Sequence, residues 1–451
     1  MLTKIKLSLR NINYPLYLAL LLMGFVPTIY NTLRVFLLGQ LPGEWSFSIA
    51  GQLSWVNLVY EIINEAIILP LFHFMGNAKS DRAVFSNRIR TGLFATFGIY
   101  TLLAAAVILF AEPMLTLMAA DPSIIPASAS YIRIESIANL FAILTQFVLV
   151  ALVAVNKSRY IYAFTGMRLM LCLTSDALLV SALPFSANLG VNGIGYSNIL
   201  VNALLLAAAV ILLEKESIHI FARGACGFGW MREFAKVGGI SGLESLVRNV
   251  AYMMMISRMV NIVNEQGTYW VANNFIWGWL LLPVLQLGEL IKQEVSSNHQ
   301  NIRHNSLGYF AITAMITVLW LVSIPSWKPF MVHVLGFDEA EKLFSLVQLL
   351  MGFYVFFAFQ NVFDATFYGL GKTNYMLFES VITNSLYYGT AFCLYKAGIW
   401  IPTLTGIALL FGIGNVFDSV VSLAAYAFLL KKQRINILNP QPSEIENLPS
   451  S

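Results

Sequence analysis

Charge is scarce in this sequence, so charged residues set within long apolar stretches need a reason to be there. Of 451 residues, 58% are hydrophobic and 11% charged, against about 25% charged in a soluble domain. Arg34, Glu61, Glu65, Glu135 and Asp176 interrupt apolar runs of the first half, and Glu244, Arg248, Arg258, Glu289, Asp364, Glu379 and Asp418 those of the second. In hydrocarbon each costs at least about 2.5 to 3.5 kcal/mol, so each needs a partner, a water-filled cavity or a function. Glu61 and Glu65 lie one helical turn apart on one face. They can share a proton, line water as a polar face, or pair with an arginine elsewhere. Glu244 and Arg248 have the same spacing and opposite signs, which suits pairing along one helix. Asn273 and Asn274, set among aromatics in WVANNFIWGWLLLP, would lack partners in lipid and are cavity candidates. Those aromatics can meet an organic cation through cation–π contact, or serve packing and interfacial anchoring.

Other chemistries are poorly supplied. His73, His219, His299, His304 and His333 are dispersed without metal-ligand spacing, and Cys172, Cys226 and Cys393 are far apart. No phosphate-binding G-x-x-x-x-G-K-S/T loop occurs, and no stretch is long enough for a soluble ATP-hydrolysing domain. An enzyme, a resident cofactor, a metal site and a nucleic-acid partner are therefore not expected. The lipid bilayer and a small-molecule substrate are the expected partners, and a monomer the expected state.

The elements that must hold these residues are membrane helices. Apolar runs between polar breaks predict twelve, near 14–38, 47–75, 88–111, 124–155, 159–184, 190–213, 237–262, 268–295, 306–326, 340–370, 374–396 and 402–430. The basic N-terminal start runs into the first span without a cleavage pattern and reads as a retained helix rather than a signal peptide. Loop charge tests the count, because cytoplasmic loops gather Lys and Arg. One alternating set of loops and termini holds Lys4, Lys6, Arg10; Lys79, Arg82, Arg88, Arg90; Lys157, Arg159; Lys215, Arg223, Arg232, Lys236; Lys292, Arg303; Lys372; and Lys431, Lys432, Arg434, which is 19 of 27. The opposite loops hold only Lys328, Lys342 and Lys396. Both termini are expected in the cytoplasm, with the chain in the plasma (inner) membrane.

An internal repeat organises the spans. PMLTLMAADPSIIPAS from Pro113 and PFMVHVLGFDEAEKLFS from Pro329 each place an acid, Asp121 or Asp338, shortly after the proline and ahead of a long apolar run ending near Lys157 or Lys372. Six spans separate the copies, so the repeat is parallel. The expected organisation is a six-helix lobe over 1–213, a cytoplasmic linker over 214–236, a second six-helix lobe over 237–431 and a tail over 432–451. The expected fold class is all-α integral membrane, twelve transmembrane helices in two parallel pseudo-symmetric lobes.

These paired segments, with VNKSRY and GLGKTNY after spans four and ten, GVNGIGYSN at 190–198 and GGISGLESL at 238–246, resemble the multidrug and toxic compound extrusion (MATE) transporters of the flippase superfamily over nearly the whole chain. The resemblance implies a V-shaped pair of lobes around a cavity of alternating access, and substrate export coupled to entry of protons or sodium ions. It also implies a first-lobe cation site built from an Asp on span one, an Asn and an Asp four apart on span five, and a hydroxyl on span six. Here Asp176 fits the span-five Asp, Cys172 replaces the Asn, Asn198 takes the hydroxyl position, and Arg34 stands where the span-one Asp would be. Arg34 either pairs with Asp176, a tethered guanidinium replacing a mobile cation, or snorkels to the interface while Asp176 is solvated. The span-seven acid near Asn249 is missing, and counting back from Gly371 puts the span-ten ligand nearer Phe359 and Gln360 than Asp364. Glu289, Lys292 and Glu294 read as an interfacial charge cluster, and Asp418 as a brace for span twelve. The expected function is secondary export of small amphipathic or drug-like molecules by H+ or Na+ antiport, with a flippase for a lipid-linked or anionic substrate as the alternative.

Overall fold

The computed structural model describes residues 2–41, 45–76, 78, 81–154, 159–216, 218 and 227–437. The sequence predictions resting on Lys79, Lys157, His219, Arg223 and Cys226, on residues 217 and 219–226 of the linker and on the tail beyond 437 fall outside these residues. The described chain is helical throughout its elements. A short α1 (Leu2–Arg10) precedes α2 (Tyr14–Gly39), α3 (Ser46–Gly76), α4 (Arg82–Leu117), α5 (Ile125–Ala154), α6 (Arg159–Leu179) and α7 (Val191–Lys215). Then come α8 (Met231–Tyr252), α9 (Arg258–Ile262), α10 (Gln266–Phe275), α11 (Leu282–Ser297), α12 (Asn301–His333), α13 (Ala340–Gly369), α14 (Thr373–Ile382), α15 (Gly389–Lys396) and α16 (Leu404–Gln433).

Each predicted span has its helix, but three are broken by π-helical turns at Met253–Ser257, Ile276–Leu280 and Thr383–Tyr388. A π-turn inserts one residue without interrupting the apolar run, so hydropathy passes straight through it. Among the described residues seven helices are long and apolar enough to cross a membrane, and an eighth span is bent by 53° between Gln266–Leu280 and Leu282–Ser297. Pro283 lies in the first turn of the second arm of that bend, where a missing N–H costs nothing. The remaining long helices carry polar side chains or are divided by a π-turn. The chain is a multi-pass membrane protein. Its N-terminal basic segment is a helix of its own, α1, whose Ser8 Oγ accepts the Gly308 N–H of α12 at 2.8 Å.

Two packing units divide the described chain, one over Tyr30–Trp270 and one over Met1–Ile29 with Val271–Ser451. These are divisions by packing, whereas the 1–213 and 237–431 lobes are divisions by sequence repeat, and the two do not coincide because α8 packs on α3. Within the Tyr30–Trp270 unit, α5 is the hub and meets α3, α4 and α7. In the other unit its repeat counterpart α13 meets α11, α12 and α16. The repeat thus survives as equivalent packing around one central helix per unit. Asp121 has a local role in it: its Oδ1 accepts Ser123 N–H at 2.8 Å and Ser123 Oγ at 2.6 Å in the turn before α5. Those two donors hold its carboxyl below the usual carboxylate range.

Glycines set the closest approaches. A Cβ on Gly193 of α7 would lie 2.7 Å from the Leu179 carbonyl oxygen. On Gly238 of α8 it would collide with the Ala66 carbonyl of α3. The two glycine-bearing motifs that mark the sequence therefore let α7 and α8 lie against their neighbours, in the manner of small residues at membrane helix interfaces.

Candidate functional site

The close seat of α7 brings the residues after its glycines onto α5 and α6. Arg34 on α2 donates to Asp176 on α6 through two bonds, Nε to Oδ2 at 2.6 Å and Nη2 to Oδ1 at 3.1 Å. Asp176 is 1% exposed and the Arg34 side chain 11%. Of the two arrangements open to Arg34, the ion pair is the one present. The Ser197 hydroxyl on α7 donates to Asp176 Oδ1, Ser175 and Ser197 share a hydroxyl contact at 2.6 Å, and the Tyr30 ring lies 5.5 Å from the guanidinium. Burial of a carboxylate is tolerable here because a bidentate guanidinium and a hydroxyl serve its lone pairs.

The hydroxyl on Asp176 belongs to Ser197, one position before Asn198. Asn198 is turned by one residue's rotation toward α5, where its Nδ2 donates to Glu135 Oε1 at 2.7 Å. Glu135 is buried and also hydrogen-bonds Tyr131, one turn earlier on α5. Cys172 is buried with a free thiol one turn before Asp176.

A second cluster in the same unit joins α3 to α8. Arg248 Nη2 donates to Glu65 Oε1 at 2.8 Å and Glu61 Oε1 at 3.3 Å. Pairing with an arginine elsewhere is present in this geometry, beside a hydrogen bond between Glu61 and Glu65 themselves. Glu244 lies close enough to add its charge to that arginine's field. Arg258 does not join this cluster and donates to the Leu117 carbonyl at 2.9 Å.

The other unit has a cluster of a different kind. Gln360 on α13 sits at its centre and donates through Nε2 to Glu379 Oε1 on α14 at 2.8 Å and to Asp418 Oδ2 on α16 at 2.7 Å. Thr383, the first residue of the third π-turn, donates to Asp418 Oδ1 at 2.6 Å. Ser422 donates to Asp364 Oδ1 at 2.8 Å, and Ser419 to Gln360 Oε1 at 2.8 Å. Asp418 thus links three helices rather than bracing its own. Sequence spacing had pointed to Gln360, and its neighbours Thr383, Ser419 and Ser422 carried no signal. Asn273 and Asn274 are half-buried on α10.

Glu294 corrects the expected interfacial cluster. Glu289 and Lys292 do pair at the surface, at 2.7 Å, but Glu294 points inward. Its Oε1 accepts the Asn13 N–H at 2.8 Å, and its Oε2 accepts Asn305 Nδ2 at 2.8 Å and the Tyr309 hydroxyl. Five residues on from Glu289, it lies on another face of α11. Among the described residues no group of three or more His, Cys, Asp and Glu is placed to hold a metal ion.

A family model described as MatE matches residues 74–176, from the end of α3 to Asp176 itself. The fold matches an inward-facing multidrug resistance MATE family transporter of the MOP superfamily at a TM-score of 0.73 and 16% identity, covering 94% of this chain and 98% of that one. The chain thus resembles MATE transporters in fold. An outward-facing MATE transporter matches at a TM-score of 0.68 and 15% identity, over 94% and 95% of the two chains. A MOP superfamily transporter from Pyrococcus furiosus, described as having a binding pocket of reverse polarity that suggests a different function, matches at 0.67 and 15%, over 97% and 99%. No curated protein matches by sequence.

Proposed function

We propose that this chain is a secondary active exporter of small amphipathic molecules, driven by inward movement of protons or sodium ions through alternating access. The observation that carries this reading is that one fold, over 94% of the chain, resembles MATE structures in both inward-facing and outward-facing states. Ionisable residues buried within its spans supply groups whose charge can change as access alternates. In this reading the Arg34–Asp176 pair is a built-in substitute for a mobile cation, which leaves ion coupling to other carboxylates. The membrane is the plasma (inner) membrane, with both termini cytoplasmic, as the loop charges favour.

A second reading has one specific observation in its favour. A guanidinium stands where the resemblance implies an acid, and guanidinium groups bind carboxylate and phosphate bidentately. A lipid-linked or anionic substrate then suits the chain better than an organic cation, in line with the reversed pocket polarity described for the Pyrococcus furiosus transporter. Substrate-evoked proton or sodium flux in proteoliposomes, measured across cationic and anionic test compounds, separates the two. Flux with amphipathic cations supports the first, flux or lipid flipping with anions alone the second, and no ion-coupled flux with any compound sinks the antiporter.

A further inference from the structure

Glu379 is a buried carboxyl with one oxygen unused. It is 4% exposed on α14. Its Oε1 accepts Gln360 Nε2 at 2.8 Å, while Oε2 is sealed from solvent and receives no hydrogen bond of good geometry among the described residues, the nearby Ser422 hydroxyl being given to Asp364. Asp364 on α13 and Asp418 on α16 are near enough for their charges to act on it. Asp418 takes two donors, Gln360 Nε2 at 2.7 Å and Thr383 Oγ1 at 2.6 Å, one on each oxygen. Asp364 takes Ser422 Oγ at 2.8 Å. The cation facing this group from α11 is Lys292, which acts on Asp364 from a distance, donates to Glu289 at 2.7 Å and stands 4.9 Å over the Tyr368 ring. Tyr426 on α16 packs on Phe363 with ring centroids 4.9 Å apart.

The Tyr30–Trp270 unit solves the same problem with an arginine: Asp176, on the repeat-equivalent span, has a guanidinium on both oxygens. Among the described residues no ion pair involves Glu379 or Asp364. A buried, ionised carboxylate with a naked oxygen and like charges beside it is costly, and a proton on that oxygen removes the charge at once. The donors are distributed accordingly. Asp418 is hydrogen-bonded as an anion is, and Glu379 receives one N–H on the oxygen that stays a carbonyl when the other is protonated.

We propose that Glu379 is a proton-binding site of this chain, holding a proton on Oε2 while shut from water and giving it to water when the helices around it open. No bond other than the O–H is made or broken. Its use in transport rests on the antiport reading; its existence does not.

Infrared spectroscopy of the full-length protein in lipid at neutral pH tests the site. A protonated-carboxyl C=O band, shifted by D2O, is expected to vanish in Glu379→Gln and to persist in Glu112→Gln, whose exposed carboxylate pairs with Arg133. Glu379→Asp should keep an acid band at a changed frequency, which guards against a Gln variant that fails to fold. An acid band unaltered in both Glu379 variants overturns the proposal whether or not the protein transports anything. In proteoliposomes, Glu379→Gln should abolish substrate-evoked proton flux that the wild type shows, and equal flux in the two would overturn the use of this site in transport. If the wild type evokes no ion flux while the band is present and lost in the variant, the site stands and the antiport reading falls.

Discussion

Replacing Arg34 with methionine removes the guanidinium and keeps most of the side-chain bulk. Asp176, 1% exposed, then keeps only the Ser197 hydroxyl and loses two charge-assisted bonds of 2.6 and 3.1 Å. Removing one partner of a buried pair costs about 3–5 kcal/mol, because the remaining charge is left uncompensated. Arg34 is 11% exposed, so solvent recovers little of that cost. Asp176→Asn should be similarly damaging, since it leaves a guanidinium facing an amide that cannot match its charge. The double variant Arg34→Met with Asp176→Asn should recover most of the loss, because a neutral pair of comparable size is often no worse than a buried ion pair. The assay is reversible unfolding of the purified protein in mixed micelles for the four members of the cycle, with the coupling energy read as the non-additive part. Single variants within about 1 kcal/mol of wild type, in the range of exposed pairs, or a double variant equal to the sum of the singles would refute the reasoning.

Glu65→Gln should cost more stability than Glu61→Gln, since its bond to Arg248 is shorter, 2.8 against 3.3 Å, and its side chain is 20% rather than 42% exposed. Both losses should stay near about 1–2 kcal/mol in the same unfolding assay. Glu294→Leu strips an acceptor from the Asn13 N–H, Asn305 and Tyr309, at about 1–3 kcal/mol per unpaired group. Hydrogen exchange should quicken at Asn13, while exchange around α5 is unchanged. Gly193→Ala presses a methyl onto the Leu179 carbonyl, 2.7 Å away, and backbone cannot yield as a side chain can. A loss of about 1–3 kcal/mol, with the Ser197–Asp176 contact weakened, is expected by unfolding and by cross-linking of paired cysteines on α6 and α7.

Much of the fold can be read from the sequence because the solvent enforces it: apolar runs of membrane length, loops that segregate positive charge, and a repeated P…D segment before α5 and α13. What hydropathy could not show was the three π-turns, which leave the apolar pattern intact, or α1, whose nine residues are too few and too polar to register as a span. The Arg34–Asp176 pair was legible as one of two arrangements, because an arginine replaced an expected acid five residues before Gly39. Ser197 was not, since it and Asn198 are adjacent polar residues and a one-residue rotation decides which faces α6 and which faces α5. The Gln360–Glu379–Asp418 network was hidden for a similar reason. Its members are spread over 59 positions between Gln360 and Ser419, and only packing of α13, α14 and α16 brings them together. Glu294 shows the opposite failure: it sits in sequence beside an exposed ion pair, yet its face of α11 turns inward.

The antiport reading is tested most directly by uphill transport in sealed proteoliposomes. With equal substrate on both sides, an imposed proton or sodium gradient alone should drive substrate to accumulate on the side from which the ions move, and collapsing that gradient with an ionophore should return it to equality. Substrate that merely equilibrates, with the same final distribution whatever ion gradient is imposed, would contradict it.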